Sequence, residues 1–515
     1  MRVIDFFDKG VEVEPDRPFL IDDTERRTYA ETQAMSHRIA NAFHAAGVAP
    51  GTKVAVLSGN AARPFECVIG LLRAGCVWVP VNARNTLEES VYALENTDTE
   101  ILFYSRAFRD TVGSLLERCP RITQAICIEE NDGPHPSLDE LTRERADRAP
   151  EVRAALDDVV TLFSSGGTTG HPKGVMMTHL AWTTWIAASQ RLLWHDHARQ
   201  LVVAPMTHAA GGVTLMMSAM GASNFILPGF DPVRVMRAIE QHRITHLFLP
   251  PTAVYRLLAH PDVRRYDYSS LRYFNYASAP MALEKIKEAM QVFGPVMMTG
   301  FGQTELGPNV TFFSPEDHRK VLASGNDRRL TSCGRPTLFA RVEVMADDGT
   351  LLGPETHGEI VVRSTAVMRG YYKNPEETAR VSTHGWHHTG DVGFKDREGW
   401  VFLVDRKRDM LISGGFNIFP SEIEKAVVAH AAVQDCAVIG VPDADWGEAV
   451  KAVVELKEGA STDAAELLAF CRERLASYKV PKSVEIWPEL PRSAAGKVLR
   501  RKVRERFWQG RERKI

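Results

Sequence analysis

Up to about residue 300 the chain alternates short β-rich runs with longer amphipathic stretches, and no other feature of the sequence limits its fold as tightly. Tyr29 to Ala46 carries Met35, Ile39 and Phe43 near helical spacing, and the strand-like Val54-Ala-Val-Leu57 follows. Pro64 to Ala74 reads as a helix, then Val77-Trp-Val-Pro-Val81 as a strand. Further strands are expected at Ile101–Tyr104, Val159–Phe163, Leu201–Ala204, Thr245–Leu249 and Tyr273–Tyr276. Helices are expected at Thr252–Ala259 and Met281–Val292. Such alternation packs as parallel sheets covered by helices on both faces, so the expected class is α/β with doubly wound sheets.

From about Gly325 the texture changes. Arg341–Met345 and Glu359–Arg363 flank Asp347-Asp-Gly349, and Gly385 to Val404 reads as a hairpin turning at Arg397-Glu-Gly399. A small antiparallel or β-barrel-like unit is expected there. After Asp405 a separate α+β module begins, with helices at Pro420–Ala429 and Ala464–Leu475 and strands at Cys436–Gly440, Ala449–Leu456 and Ser483–Trp487. The expected domains are therefore residues 1–405 and a smaller lobe, 406–515, consistent with three to four units at roughly 150 residues each.

Composition narrows the function. Lys and Arg total 62 against 65 for Asp and Glu, a net charge of −3. That balance offers no electrostatic footprint for nucleic acid. The 7 cysteines are scattered without a C-x-x-C pair, which fits a reducing, cytoplasmic setting. Asp5 and Asp8 interrupt the N-terminus where a signal peptide needs an apolar core. Between Arg199 and Asp231 the chain carries no charge, but Pro205, His208 and Pro228 break the run, so Val213–Ala222 is expected as a buried helix and not as a transmembrane segment. The oligomeric state, a homodimer included, is left open.

The strongest local signal is Ser164-Ser-Gly-Gly-Thr-Thr-Gly-His-Pro-Lys-Gly174, directly after a strand. Its glycines free the backbone to bring N–H groups to an anion, while two threonine hydroxyls and Lys173 add donors for phosphate oxygens. It is not a Walker A loop, because Lys173 follows Pro172 and precedes Gly174; a loop between strands is expected. A plain flexible turn would need neither the cation nor the buried strand.

With six further segments, this signature resembles that of adenylate-forming enzymes: acyl-CoA synthetases, nonribosomal-peptide adenylation domains and firefly luciferase. The segments, in order, are Ala204-Pro-Met-Thr-His208, Tyr276-Ala-Ser-Ala-Pro280, Thr299-Gly-Phe-Gly-Gln-Thr-Glu305, Gly385-Trp-His-His-Thr-Gly-Asp391, Asp405-Arg-Lys-Arg-Asp-Met-Leu-Ile-Ser-Gly-Gly-Phe-Asn-Ile-Phe-Pro420 and Pro491-Arg-Ser-Ala-Ala-Gly-Lys497. The resemblance runs from about Asp5 to Lys502. It implies a large AMP-binding adenylation domain and a mobile C-terminal lobe, with ATP, Mg2+ and coenzyme A as cofactors and a small carboxylic acid as the other partner.

Site roles follow from the same resemblance. Ser165, Gly166, Gly167, Thr168, Thr169, Gly170 and Lys173 are implied to hold phosphate, with Gly166 standing where Ser is usual. Ala277, Ser278 and Ala279 line the adenine and acyl pocket. Gly300, Phe301, Gly302, Gln303 and Thr304 continue the nucleotide site, Phe301 taking the adenine-stacking position where Tyr is commoner. Glu305 is the Mg2+-associated carboxylate, a hard ligand suited to that ion. Asp391 is implied to accept from the ribose hydroxyls, and Arg406 to contact the adenylate. Catalytic roles fall to Lys497, which neutralises charge during adenylation, to Thr304, and to His208, which gates the acid pocket. The lobe is implied to rotate between half-reactions, exchanging Lys497 for the loop around Gly414 and Gly415, with its pivot at Arg408, where relatives carry Asp or Lys.

The implied activity is AMP-forming acid–CoA ligation. Phosphoryl chemistry of this kind asks mainly for positioning and charge neutralisation, and no G-x-S-x-G elbow suggests an acyl-serine. Ala209, Ala210, Gly211 and Gly212 are small and suggest a roomy acid pocket, for an aromatic or a medium- to long-chain aliphatic monocarboxylic acid. The alternatives are an enzyme that loads a carrier-protein phosphopantetheine, a luciferase-like oxygenase, and a non-catalytic binding protein. His195 and His197 form an H-x-H pair better read as loop than as metal site.

Overall fold

A computed structural model describes residues 1–508 apart from 131–132, 149, 166–171, 208, 414–415, 444–446 and 493–497, with backbone alone at 209, 412, 416, 417 and 447. The chain divides into two compact units, one of Met1–Val342 with Val362–His387 and one of Glu343–Val361 with His388–Ile515.

The first unit holds two seven-stranded sheets. One runs in the order Gly370–Tyr371, Lys173–Thr178, Val159–Ser165, Val77–Asn82, Lys53–Ser58, Ile101–Tyr104, Gln124–Cys127. The other runs Met297–Met298, Tyr273–Tyr276, His246–Leu249, Arg199–Val202, Ser223–Ile226, Pro18–Ile21, Arg26–Thr28. The second sheet is parallel except for its last pair. The first is parallel from Val159–Ser165 onward, but Lys173–Thr178 and Gly370–Tyr371 join it antiparallel. The reason is chain length. Residues 166–172 are too few to carry the crossover that a parallel neighbour needs, so the strand folds back on itself as a hairpin.

Local chemistry sets the element ends. The helix Tyr29–Ala45 opens on a capping box of Thr28 and Glu31. The apolar helix spans Ala209–Ser218, earlier than the expected Val213–Ala222. It stops because Gly221, at φ 70°, lets the Ala222 amide reach back to the Met217 carbonyl. No described helix is long and apolar enough to cross a membrane. The cores are dense in aromatics: Trp78, Trp182, Tyr29, Phe7, Phe19 and Phe43 are among the largest fully buried side chains, each contributing roughly 1.5–3 kcal/mol on burial.

The small β unit expected after Gly325 is an open sheet in the order Arg341–Met345, Gly358–Arg363, His387–Lys395, Val401–Arg406. Its last two strands pair antiparallel around Gly399, at φ 81°. Most of this sheet sorts with the chain beyond Asp405. A five-stranded sheet completes the second unit, with Ser483–Trp487 parallel to Gly447–Leu456 and the rest antiparallel. The helices Pro420–Val428, Ala464–Arg472 and Arg500–Glu505 accompany it.

Candidate active site

In the first unit the hairpin brings Ser165 and Lys173 into register as cross-strand partners at the two ends of the 166–172 connection. Ser165 is buried. On the other edge of the Lys173 strand, Tyr371 pairs with Val175. That register sets the Tyr371 ring 4.9 Å from the Lys173 ammonium, while the same phenol donates to Glu305 Oε1 at 2.9 Å. Glu377 takes the remaining side of Lys173 as an ion pair and accepts from Arg380 at 2.6 Å. Arg380, then Lys173, holds the Glu377 carboxyl down at about 2 against the opposing effect of burial. Burial and the Glu305 charge push the Tyr371 phenol upward, which keeps it a donor.

Sequence reasoning had Lys173 and Glu305 but missed Tyr371 and Glu377. The signal was partly present. Asn374-Pro375 starts a helix, with Asn374 capping the Glu377 amide, so the position of Glu377 in the first turn was readable. That this turn lies against Lys173 was not.

Glu305 sits near the tip of a tight return between Thr299 and Phe313, whose backbones bridge. A Cβ on Gly300 would collide with the Thr311 carbonyl, and one on Gly302 with the Gly307 carbonyl, so the chain's own return demands both glycines. Gln303 donates to the Gly307 carbonyl at 3.2 Å, and Thr304 lies half-buried beside Glu305. Phe301 is 5% exposed, its amide donating to Thr311 Oγ1 at 2.9 Å. Ala277, Ser278 and Ala279 follow the Tyr273–Tyr276 strand, and Ser278 holds φ 76°. A non-glycine residue there costs roughly 1–3 kcal/mol, strain of the kind that collects at functional sites.

In the second unit Asp391 and Arg406 are cross-strand partners, and Arg406 Nε lies 2.8 Å from Asp391 Oδ1. The turn before Asp391 is fixed by neighbours: Thr389 Oγ1 donates to the Ile360 carbonyl at 2.7 Å, and Gly390, at φ 69°, donates to Glu359 Oε1 at 3.0 Å. Burial works against the Glu359 charge, but Lys407 at 3.0 Å and His388 hold its carboxyl below the usual range. Arg408 lies in the turn Lys407–Asp409 with its side chain 43% exposed. Asp405 and Asp409 on either side of it both meet Arg500 Nη1, at 2.9 and 3.2 Å, and Arg500 also pairs with Glu424. Burial opposes the Arg500 charge, yet these three carboxylates push its guanidinium upward.

Gly166, Gly167, Thr168, Thr169, Gly170, His208, Gly414, Gly415 and Lys497 lie outside the described residues. His195 and His197 stand in a loop, with His197 Nδ1 2.9 Å from the Arg17 guanidinium. Among the described residues no three His, Cys, Asp or Glu side chains cluster as metal ligands. Glu305 offers a hard carboxylate of the kind that suits Mg2+.

A Cβ on Gly211 would collide with the Met206 carbonyl and crowd the Trp78 ring at 3.0 Å, whereas one on Gly212 would make only ordinary contact with the Trp182 ring at 3.5 Å.

The family model described as AMP-binding enzyme matches residues 7–372, and that of the AMP-binding enzyme C-terminal domain matches residues 422–497. The chain belongs to the AMP-binding enzyme family. Among the relatives of this AMP-binding enzyme is a feruloyl-CoA synthase of Amycolatopsis sp., 39% identical over 93% of the chain and 94% of the relative. A medium/long-chain-fatty-acid–CoA ligase, FadD8 of Mycobacterium tuberculosis, is 36% identical over 92% of the chain and 84% of the relative. The solved structure of the amide bond synthetase McbA from Marinactinospora thermotolerans superposes with a TM-score of 0.88 at 29% identity, covering 98% of this chain and 100% of that one.

Proposed function

We propose that this AMP-binding enzyme is an ATP-dependent carboxylic acid–CoA ligase, with an aromatic or medium- to long-chain aliphatic monocarboxylic acid as substrate. The observation that carries the reading is the convergence of Lys173, Tyr371 and Glu305, a cation and a carboxylate on either side of one phenol at the root of the phosphate-loop hairpin. The full-length likeness to acid–CoA ligases supports it.

In the first half-reaction a carboxylate oxygen of the acid attacks the α-phosphorus of ATP, the α–β bond breaks, and pyrophosphate leaves. Lys173 and the hairpin-loop donors, Ser165 among them, bind the departing phosphates, and Asp391 with Arg406 orients the nucleoside. Lys497 neutralises the charge that grows between carboxylate and α-phosphate. Glu305 would hold Mg2+, which supplies further neutralisation of the triphosphate. In the second half-reaction the CoA thiol loses its proton, its sulfur bonds to the acyl carbon, and the acyl–phosphate bond breaks to release AMP. The lobe beyond Asp405 turns about Arg408 between the two steps and brings Gly414 and Gly415 to the CoA arm. Electrostatic preorganisation, not a covalent enzyme intermediate, supplies most of the acceleration. On its cysteine usage we place the enzyme in the cytoplasm.

The test is AMP and pyrophosphate release with CoA across benzoate, cinnamate and fatty acids. ATP–pyrophosphate exchange with any of them supports the reading, and ADP as product overturns it. A carrier-protein phosphopantetheine or an amine in place of CoA, the latter raised by the likeness to an amide bond synthetase, is distinguished by running the three acceptors side by side.

A further inference from the structure

The segment from Met368 to Glu377 braces both charges of the phosphate site, yet its edge strand, Gly370–Tyr371, is only two residues long. At its start it reaches Glu305 twice: the Met368 amide donates to the Glu305 carbonyl at 2.8 Å, and the Tyr371 phenol to Glu305 Oε1 at 2.9 Å. At its end it reaches Lys173 through the ion pair of Glu377. Between the two, the Tyr372 amide donates to the Gly174 carbonyl at 2.8 Å. Two ladder residues are too few to keep a phenol and a carboxylate on one ammonium, because ordering a backbone residue costs about as much as one hydrogen bond returns. The rest of the hold comes from a distant helix.

That helix, Leu87–Asn96, ends in Thr97 and Asp98, the latter at φ 51°. Asp98 Oδ1 accepts from the Lys373 ammonium at 2.6 Å and Oδ2 from the Tyr372 phenol at 2.9 Å, with the Arg121 guanidinium 3.2 Å from Oδ1. Lys373 itself sits at φ 55°, a left-handed conformation that a lysine adopts only where its surroundings impose it. The Asp98 side chain is 14% exposed, which sets it apart from the fully solvated pairs that contribute little. Gly174, the last residue of the phosphate signature, lies at the same junction. A Cβ there would stand 3.3 Å from Tyr372 Cβ and 3.9 Å from both Asn96 Nδ2 and Thr97 Cγ2. The helix end, the edge segment and the close of the phosphate signature meet at one point.

We propose that Asp98 is a positioning residue for the nucleotide: it holds Tyr372 and Lys373, and through them keeps Tyr371 and Glu377 in place around Lys173. The proposal rests on the acid–CoA ligase reading, in which Lys173 binds the ATP phosphates, and adds to it a carboxylate that lies in none of the signature segments. The physical basis is pre-organisation. With the segment anchored at Asp98, the ammonium is in place before ATP arrives. With the anchor released, part of the binding energy goes into ordering the segment, so ATP binds more weakly while the bound complex reacts as before.

The experiment titrates the full chain with ATP and Mg2+ by calorimetry. It also measures kcat and the KM of the best substrate among benzoate, cinnamate and dodecanoate, by AMP release with CoA at saturating ATP. Asp98→Asn is expected to raise the Kd for ATP by ~5-fold, the scale of one net hydrogen bond, with kcat and the KM of the acid unchanged. Tyr372→Phe, which keeps its ring against Gly174, is expected to move the Kd in the same direction by less. In a background that carries both Tyr371→Phe and Glu377→Gln, adding Asp98→Asn is expected to change the Kd by ~2-fold or less, because the bonds it acts through are gone. An unchanged Kd in folded Asp98→Asn overturns the proposal. So does a fall in kcat that matches the loss of affinity, or an effect undiminished in the double-variant background. Each of these leaves the ligase reading intact. Where Asp98→Asn does not fold, Tyr372→Phe decides by the same criteria. A wild type that binds no ATP, or turns over none of the acids, overturns the ligase reading and this proposal with it.

Discussion

In the first unit Lys173, Glu305 and the Tyr371–Glu377 stretch come together from three distant parts of the chain, whereas in the second Asp391 and Arg406 face each other across one hairpin. The first cluster depends on a short edge strand, Gly370–Tyr371, which docks beside Lys173–Thr178 and carries the phenol to both charges. The second depends on a register set by its own turn at Asp396–Trp400. A cluster held by tertiary docking spreads a perturbation from any member to the others, while a hairpin pair confines it to two residues. The second unit holds a further arrangement, in which Arg500 gathers Asp405, Asp409 and Glu424 around the turn that contains Arg408.

The largest effect is expected from Lys497→Ala, at least ~100-fold on ATP–pyrophosphate exchange, with thioesterification of supplied acyl-adenylate retained. Equal losses in both half-reactions would remove Lys497 from the adenylation step. Next, Asp391→Ala is expected to raise KM for ATP by ~10-fold or more, the scale of a lost hydrogen bond to a charged group. Combined with Arg406→Ala it should cost no more than the larger single change, because the two act as one pair. Additive losses would break the confinement claimed for the hairpin.

Glu377→Gln is expected to cost less, ~10-fold at most in kcat/KM for ATP, by leaving Lys173 without its ion-pair partner. The same variant carries a pH signature. The Glu377 carboxyl is depressed to about 2 in the folded protein, so its stabilisation is complete above pH 4.5 and is lost as the pH falls toward 2. The difference in melting temperature between wild type and Glu377→Gln should therefore shrink across that window and stay flat above it. The smallest change is expected from Tyr371→Phe, which keeps the ring over Lys173 and removes the hydrogen bond to Glu305. It should cost about fivefold, ~1 kcal/mol, seen as a higher Mg2+ requirement in pyrophosphate exchange. An effect on exchange that saturating Mg2+ does not relieve would place Tyr371 outside the handling of that ion.

Much of this was legible beforehand because it is local. The strands at Ile101–Tyr104, Tyr273–Tyr276 and Ser483–Trp487 fall where alternation and β-branched or aromatic content place them. The hairpin turning at Gly399 follows from its glycine. Helix ends were less legible: Ala209–Ser218 was expected later along the chain because uniformly apolar residues carry no phase, and only the left-handed Gly221 ends it. At the site, Asp391 and Arg406 stood out as motif residues and prove to be partners because one turn joins them. Tyr371 and Glu377 did not stand out, since nothing near them in sequence points to Lys173.

By itself the sequence determined most of the elements, the short connection that ends in Lys173, and membership of the adenylate-forming enzymes, because turn chemistry, periodicity and motif spacing act over a few residues. Only the tertiary structure decided which side chains stand around Lys173. That depends on the docking of strands and helices far apart in the chain, and nothing near Tyr371 or Glu377 in sequence carries a record of the cation they will meet.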